Sequence, residues 1–240
     1  MREGGKILSD AISKVVTHIK PDIETIDLDR IAEHEIRRFG AEPAFKGFRS
    51  YPLSLCASIN EAVVHGLPGR RHLKKGDIIG IDLGVFYQGY YTDMAVTVGI
   101  PPITDQDQRL ILTTKLALAN AIALLRPGVR LGTIQHEIEK TVEKAGFDVV
   151  RSLTGHGIGR DLHEPPTIPN FGTPGTGSEV LPGMTFAIEP MVVTGDHTVK
   201  VAPDGWTVVT VDKGRADHFE HTVAITENGA CILTKLPQHA

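Results

Sequence analysis

The order of segments in this chain predicts an α+β fold of two related halves around a shared sheet system, and three observations carry that expectation. Apolar residues recur at helical spacing in two pairs of segments, and each pair is followed by short β-rich runs. A faint repeat relates the pairs. IKPDIETIDLDRI (19–31) aligns with LRPGVRLGTI (125–134), setting Pro21 against Pro127 and, across a three-residue gap, Ile31 against Ile134. No segment is long enough to be a linker, so residues 1–240 are expected to form one domain with a ligand site between the halves.

The elements follow in order. Ile7, Leu8, Ala11, Ile12, Val15, Val16 and Ile19 describe one face of a first helix, with Lys6, Asp10 and Lys14 outside and Pro21 as its stop. Leu28, Ile31, Ala32 and Ile36 describe a second helix over 27–39, with Asp27 suited to cap its start. Short β-rich runs between Gly-containing turns occupy 55–97. Helical spacing returns over 106–125 and over 132–145, the latter through Ile134, Ile138, Val142 and Ala145, and strands dominate from 149 to 233.

Composition excludes several classes of function. With 41% hydrophobic and 22% charged residues the chain is an ordinary globular protein, and a net charge of −4 leaves no footprint for nucleic acid. Arg70, Arg71, Lys74 and Lys75 form one short basic patch, read as a solvated loop. Two cysteines, Cys56 and Cys231, make no disulfide framework, so a reducing compartment is expected. The N-terminus lacks the apolar stretch of a signal peptide, and no window of about 18 apolar residues occurs. A soluble, cytoplasmic protein without membrane contact is the expectation.

Lone carboxylates on apolar strands carry the chemistry. In KGDIIGIDLG (75–84), alternation puts Ile79, Ile81 and Leu83 on one face and Gly80, Asp82 and Gly84 on the other. The glycines leave room beside Asp82 for something as large as a hydrated metal. In GYYTDMAVTVG (89–99), Asp93 shares a face with Tyr91 and Ala95, and a tight turn at Gln88-Gly89 would pair the two strands and draw the aspartates together. Either carboxylate could instead serve a turn or an ion pair, but no Lys or Arg lies at a matching position on these strands. TGHGIGRDLHEPP (154–166) supplies His156 between two glycines and His163 seven residues later, the glycines admitting a ligand closely. A lone buried histidine is commonly a satisfied core residue; two in a Gly-rich segment ahead of Pro165-Pro166 make ligation and a core role equally open. Glu189 in GMTFAIEPM (183–191) and Glu220 in DHFEHTVAIT (217–226) are each costly in an apolar run unless paired. His221 faces away from Glu220 with Phe219, Val223 and Ile225, which makes it a core histidine. Four carboxylates and one neutral imidazole carry −4, the charge that two divalent cations cancel. A cysteine-free Asp/Glu/His set suits Mn²⁺, Fe²⁺, Co²⁺ or Zn²⁺.

Together, SINEAVVHGLP (58–68), GIDLG (80–84) with TDMAV (92–96), GHGIGRDLHEPP (155–166), FAIEPM (186–191) and FEHTVAIT (219–226) resemble the consecutive motifs of type I methionine aminopeptidases, which are pita-bread metallopeptidases. The likeness runs from about Met1 to Leu236 without large insertions. It implies two pseudo-symmetric halves, with outer helices around a curved antiparallel sheet. It also implies a dinuclear centre on Asp82, Asp93, His156, Glu189 and Glu220. Asp93, His156 and both glutamates would hold one ion; Asp82 and Asp93 would hold the other, shared with the glutamates or with Glu220 alone. Glu189 would take a proton from the attacking water, His163 would stabilise the scissile carbonyl oxygen, and His65 would contact the peptide near the reacting amide. The slot for an N-terminal Met would draw on Phe48, Tyr51, Cys56, Leu162 and Trp206. Phe45 stands where many members carry Cys, and Leu162 where many carry Phe.

The implied substrate is a peptide or nascent chain that loses its initiator methionine ahead of a small second residue. The enzyme would act as a monomer, with ribosome contact left open. The segment between Glu189 and Glu220 is too short for the insertion of type II enzymes, and His65 lies too near the start for the N-terminal domain of Xaa-Pro peptidases. No Cys/His-rich zinc-binding extension precedes Met1, which points to a minimal bacterial-type enzyme. A proline-specific peptidase of the same fold is the alternative enzyme, separable by Met-Ala against Ala-Pro hydrolysis. A binding module that has lost its ligands is the alternative outside enzymes, and it would require a missing ligand.

Overall fold

The computed structural model describes residues 1–236. Helices α1 (Arg2–Val16) and α2 (Thr25–Arg38) precede strands β1 (Glu42–Pro43), β2 (Leu55–Ile59), β3 (Ala62–Val64), β4 (Ile78–Tyr87) and β5 (Tyr90–Gly99). Helices α3 (Asp105–Leu124) and α4 (Leu131–Lys144) precede β6 (Asp148–Val149), β7 (Thr154–Gly157), β8 (Glu164–Pro169), β9 (Thr185–Ile188) and β10 (Met191–Val193). The remaining strands are β11 (Val199–Val201), β12 (Val208–Thr210), β13 (Ala216–His218), β14 (Glu220–Thr226) and β15 (Gly229–Ile232). The helix-pair-then-strands order expected from periodicity is present twice.

The main sheet is antiparallel, in the order β1-β4-β5-β14-β9-β7-β8, with β2 also pairing β4 and β15 pairing β14. Helices cover one face. Leu8, Ile12 and Val15 of α1, Leu28 and Ile36 of α2, and Leu118 and Ala121 of α3 share one apolar core with Ile79, Ile81 and Leu83 of β4. Burying that many branched side chains, at about 1.5–3 kcal/mol each, outweighs any single polar contact in holding helices to sheet. The opposite face of β4 carries Gly80, Asp82 and Gly84.

Two helix details differ from the sequence reading. The residue at the start of α2 is Glu24, which makes no side-chain cap, and Asp27 lies in the first turn, where its charge meets the positive helix end. Helix α1 stops at Val16, well before Pro21, so its C-terminal turn rather than the proline ends it.

The internal repeat is sharper in three dimensions. Glu24 and Arg130 each precede a 14-residue helix, each lies three residues after the aligned proline, and each forms an isolated antiparallel bridge, to His72 and Glu179 respectively. This pairs Leu28, not Ile31, with Ile134, both fully buried, and removes the three-residue gap.

Candidate metal centre and substrate slot

The five residues expected to hold metal come from adjacent strands: Asp82, Asp93, Glu220 and His156 lie on β4, β5, β14 and β7, and Glu189 directly follows β9. On the β4–β5 hairpin, closed by a two-residue turn with positive φ at Gln88 and Gly89, Asp82 lies opposite Ala95, and Gly84 lies opposite Asp93. The two aspartates are therefore diagonal neighbours on one face. Glu220 of β14 also lies opposite Ala95, so Asp82, Ala95 and Glu220 form a row in which the central methyl leaves space between two carboxylates. Strand β9 hands Glu189 to the same face at its end, and His156 on β7 pairs with Ala187 of β9. The register of β14 on β5 is clamped at Asp93, whose N–H donates to Thr222 Oγ1 at 2.8 Å while the Thr222 hydroxyl donates back to the Asp93 carbonyl at 2.8 Å.

One donor atom from each of Asp93, His156 and Glu220 lies within 4.8 Å of the other two. Glu189 Oε1 is 3.5 Å from His156 Nε2. His156 Nδ1 sits 2.8 Å from the Gly157 carbonyl, which fixes the proton on Nδ1 and leaves Nε2 as the lone-pair donor facing the carboxylates. Burial raises all four carboxyl groups, and repulsion from neighbouring carboxylates adds to it at Asp82, Asp93 and Glu220. Desolvation followed by neighbouring carboxylates pushes Asp93 and Glu220 well above the usual range, while burial lifts Asp82 and Glu189 to about 7. Asp82 Oδ1 and Glu220 Oε1 are buried without a hydrogen-bond partner. Oxygen and imidazole donors crowded in this way, with orphaned lone pairs, fit divalent cations.

The two histidines expected to meet substrate differ from the expected metal ligands in exposure. His65 and His163 are exposed at the cavity, while Asp82, Asp93, His156 and Glu220 are buried and Glu189 is half-buried. His163 packs between His156, at 4.2 Å between ring centroids, and Phe48, at 5.2 Å. Burial first, then neighbouring positive groups, lower its pKa to about 4, so it is neutral near pH 7 and carries one N–H to donate. Phe48, Tyr51, Cys56, Leu162 and Trp206 line the same cavity as the metal-site carboxylates. The Tyr51 ring meets Trp206 edge-on at 5.1 Å, and its hydroxyl donates to the Leu55 carbonyl at 3.0 Å, which orients the ring along the slot.

Comparison with known proteins decides the family. The description "Metallopeptidase family M24" matches residues 1–227. A protein of Bacillus subtilis named methionine aminopeptidase 1 is 48% identical over 98% of this chain and 95% of its own length. The chain belongs to the methionine aminopeptidases of family M24. A crystal structure of methionine aminopeptidase from Thermotoga maritima superposes with a TM-score of 0.97 at 47% identity, covering 98% of this chain and 95% of that one. The prolidase of Pyrococcus furiosus shares the fold alone, with a TM-score of 0.80 at 22% identity over 99% of this chain and 63% of that one. The pita-bread architecture expected from the motifs is the architecture observed.

Within this M24 aminopeptidase two expectations about glycine need correction. The space beside Asp82 is not open to a hydrated ion at Gly84, where an added Cβ would meet Phe45 at 2.7 Å and Ala44 at 2.8 Å. Gly84 instead admits the Phe45 ring to the cavity wall. Gly155 and Gly157 serve their neighbouring strands, since a Cβ there would lie 2.5 Å from the Ala187 carbonyl and 2.3 Å from the Pro165 carbonyl. They let β8 and β9 close on β7 and so place His156.

Phe45, which the resemblance sets at the Met slot as a departure from many members, lines the cavity. Two residues near the site escaped the sequence reading, and the first, Arg49, lines the same cavity. His218 is buried, with Nε2 3.6 Å from Glu189 Oε2 and without a hydrogen-bond partner. Its nearness to Glu220 in sequence was the available signal, but alternation across β13 and β14 breaks at Phe219, where the chain passes from one sheet to another. His221 is half-buried, with Nδ1 3.1 Å from Thr234 Oγ1.

Proposed function

We propose that this aminopeptidase is a dinuclear-metal enzyme that removes the initiator methionine from nascent proteins and peptides, preferring a small second residue. The observation that carries the reading is the convergence of Asp82, Asp93, His156, Glu189 and Glu220, with orphaned lone pairs, beside an apolar slot. Four carboxylates and an imidazole match the charge of two ions drawn from Mn²⁺, Fe²⁺, Co²⁺ or Zn²⁺. Ions held there would supply Lewis acidity and a nucleophilic water near neutral pH.

The remaining steps belong to the chain. Phe48, Tyr51, Cys56, Leu162 and Trp206 bind the thioether side chain, a pliable apolar group that an aromatic and aliphatic slot accepts. Glu189 takes the proton of the attacking water. His163 donates to the oxygen of the scissile carbonyl, and His65 contacts the peptide near the reacting amide. Both histidines are exposed to the cavity, where a substrate can reach them. The reading extends to a single catalytic domain over 1–240, acting as a cytoplasmic monomer on peptides or nascent chains, with no nucleic-acid or membrane partner. No helix among the described residues is long and apolar enough to cross a membrane. Sedimentation with ribosomes tests whether nascent chains are met there.

Hydrolysis of Met-Ala-Ser by protein reconstituted ion by ion, with metal counted by mass spectrometry, is the central experiment. The expected result is release of Met with two ions bound per chain. Cleavage of Ala-Pro in place of Met-Ala-Ser, or full activity with one ion, would overturn it.

A further inference from the structure

A column of packed rings leads outward from the candidate metal site and ends on a cation. His156 meets His163 at 4.2 Å, His163 meets Phe48 at 5.2 Å, and the Arg49 guanidinium carbon lies 5.4 Å from the Phe48 ring centroid. The first member is buried and the last is exposed, so the column runs from the reacting centre to the mouth of the cavity. Arg49 lines that cavity. Among the described residues it makes no ion pair and its side chain makes no hydrogen bond; the face of Phe48 is its recorded partner. The loop that presents it is tightly turned. Gly47, Arg49 and Ser50 have φ of 89°, 48° and 71°, and for Arg and Ser the left-handed region costs about 1 kcal/mol each. Strain of this kind persists where surrounding structure holds it, and such residues cluster at ligand sites. Here the Phe48 N–H donates to the Phe45 carbonyl and the Gly47 N–H to the Tyr51 carbonyl, closing the loop from both ends.

We infer that Arg49 is a specificity determinant, which pairs with a carboxylate on the substrate's third or fourth residue and makes the enzyme favour acidic residues there. This rests on the reading of the site as one that removes N-terminal methionine. With Met in the slot and the scissile carbonyl at His163, the rest of the peptide leaves through the open mouth. The two steps from His163 to the guanidinium, 5.2 Å and 5.4 Å, equal at most about three residues of extended chain at about 3.3 Å each. The second residue stays at the reacting amide, so the third and fourth are the first whose side chains reach the guanidinium. A guanidinium seated over an aromatic face, with no other polar partner among the described residues, keeps its N–H groups free for a carboxylate, which it can meet with two parallel hydrogen bonds. The chain's net charge of −4 repels acidic peptides elsewhere, so a local cation at the mouth alters selection more than it would on a basic protein.

The test compares Met-Ala-Asp-Asp, Met-Ala-Ser-Ser and Met-Ala-Lys-Lys as substrates of the metal-loaded enzyme at low and high salt. An exposed Arg–carboxylate pair predicts a kcat/KM about fivefold higher for the Asp peptide than for the Ser peptide, with the Lys peptide lowest. The difference should shrink in 0.5 M salt as the Debye length falls. Arg49→Gln should bring the three peptides together, Arg49→Glu should invert their order, and Arg49→Lys should keep part of the preference. The readout is the ratio between peptides, so a general loss of rate leaves it intact. Titration calorimetry with the reduced-amide analogues of the Asp and Ser peptides gives the same ratio as a Kd without turnover. Equal ratios in the parent enzyme, or an Asp preference that survives Arg49→Glu, would overturn the inference while Met release from the Ser peptide leaves the proposed function standing. Hydrolysis of none of the three, with divalent metal supplied, overturns both.

Discussion

Asp93 sits where β5 and β14 are locked together by Thr222, so its carboxylate is held in place whether or not it carries charge. Asp93→Asn therefore should fold, and should bind fewer metal ions as one donor charge is lost. Because burial and neighbouring carboxylates raise the Asp93 pKa, ionised Asp93 destabilises the metal-free protein. Metal-free Asp93→Asn is expected to melt no lower than the metal-free parent. Two ions and full activity in that variant would contradict the assignment. Division of labour among the other residues predicts a different pattern. His163→Ala should lower kcat by about 10²–10³ with metal content intact, as when one donor to a developing oxyanion is removed. His65→Ala should do the same more mildly, while Glu189→Gln should lose about 10²–10⁴ in rate and metal affinity as well. Metal stoichiometry measured beside kcat separates these roles.

At the scale of elements, the position of His156 depends on how closely β8 approaches β7. Gly157→Ala would put a Cβ 2.3 Å from the Pro165 carbonyl, a backbone atom that cannot swing aside. The expected cost is about 1–3 kcal/mol, with weakened metal binding because His156 moves with its strand. Gly69→Ala is the control. No heavy atom lies within 4 Å of its added Cβ and its φ is not positive, so the expected change is within about 0.5 kcal/mol. Thermal melting and metal titration of both variants check the contrast.

For the whole molecule the clustered carboxylates set how stability responds to pH and metal. Asp82 and Glu189 are raised to about 7 in the fold from ordinary values of 3.8 and 4.5, so the folded metal-free state holds more protons than the unfolded chain above about pH 4. Stability from these groups therefore falls as pH rises toward 7, and Asp93 and Glu220, raised in the same direction, add to the trend. Histidines oppose this at lower pH. His163 and His221 are lowered to about 4 from 6.5, mainly by burial, and stability from them rises with pH up to 6.5. Above pH 6.5 only the carboxyl trend remains. Metal-free protein should accordingly melt at progressively lower temperature from pH 6.5 to 8, while metal-loaded protein should not. Metal at 100 times its dissociation constant adds about 2.7 kcal/mol, or roughly 5–10 °C for a chain of this size. A melting temperature indifferent to chelation in initially loaded protein would count against the site.

Period-2 and period-3.6 patterns are local, and that is why so much of this protein was legible in its letters. They determined the four helices, the β4–β5 hairpin, the face that Asp82 shares with Gly80 and Gly84, and the turn of His221 away from Glu220, because each follows from spacing within one segment. The candidate ligands were legible for a related reason: a carboxylate in an apolar run is conspicuous wherever it occurs, and the resemblance of the motifs then implied a role for each. What lies between segments was not legible. Only the packed sheet decided that five neighbouring strands bring one candidate ligand each to a shared cavity, and that Gly84 makes way for Phe45. Packing also spent Gly155 and Gly157 on neighbouring strands, and it set His218 against Glu189 and Arg49 at the cavity mouth. Those facts depend on register between strands far apart in sequence, and on where loops return. Cross-strand hydrogen bonds and close packing set both, and no single segment contains them.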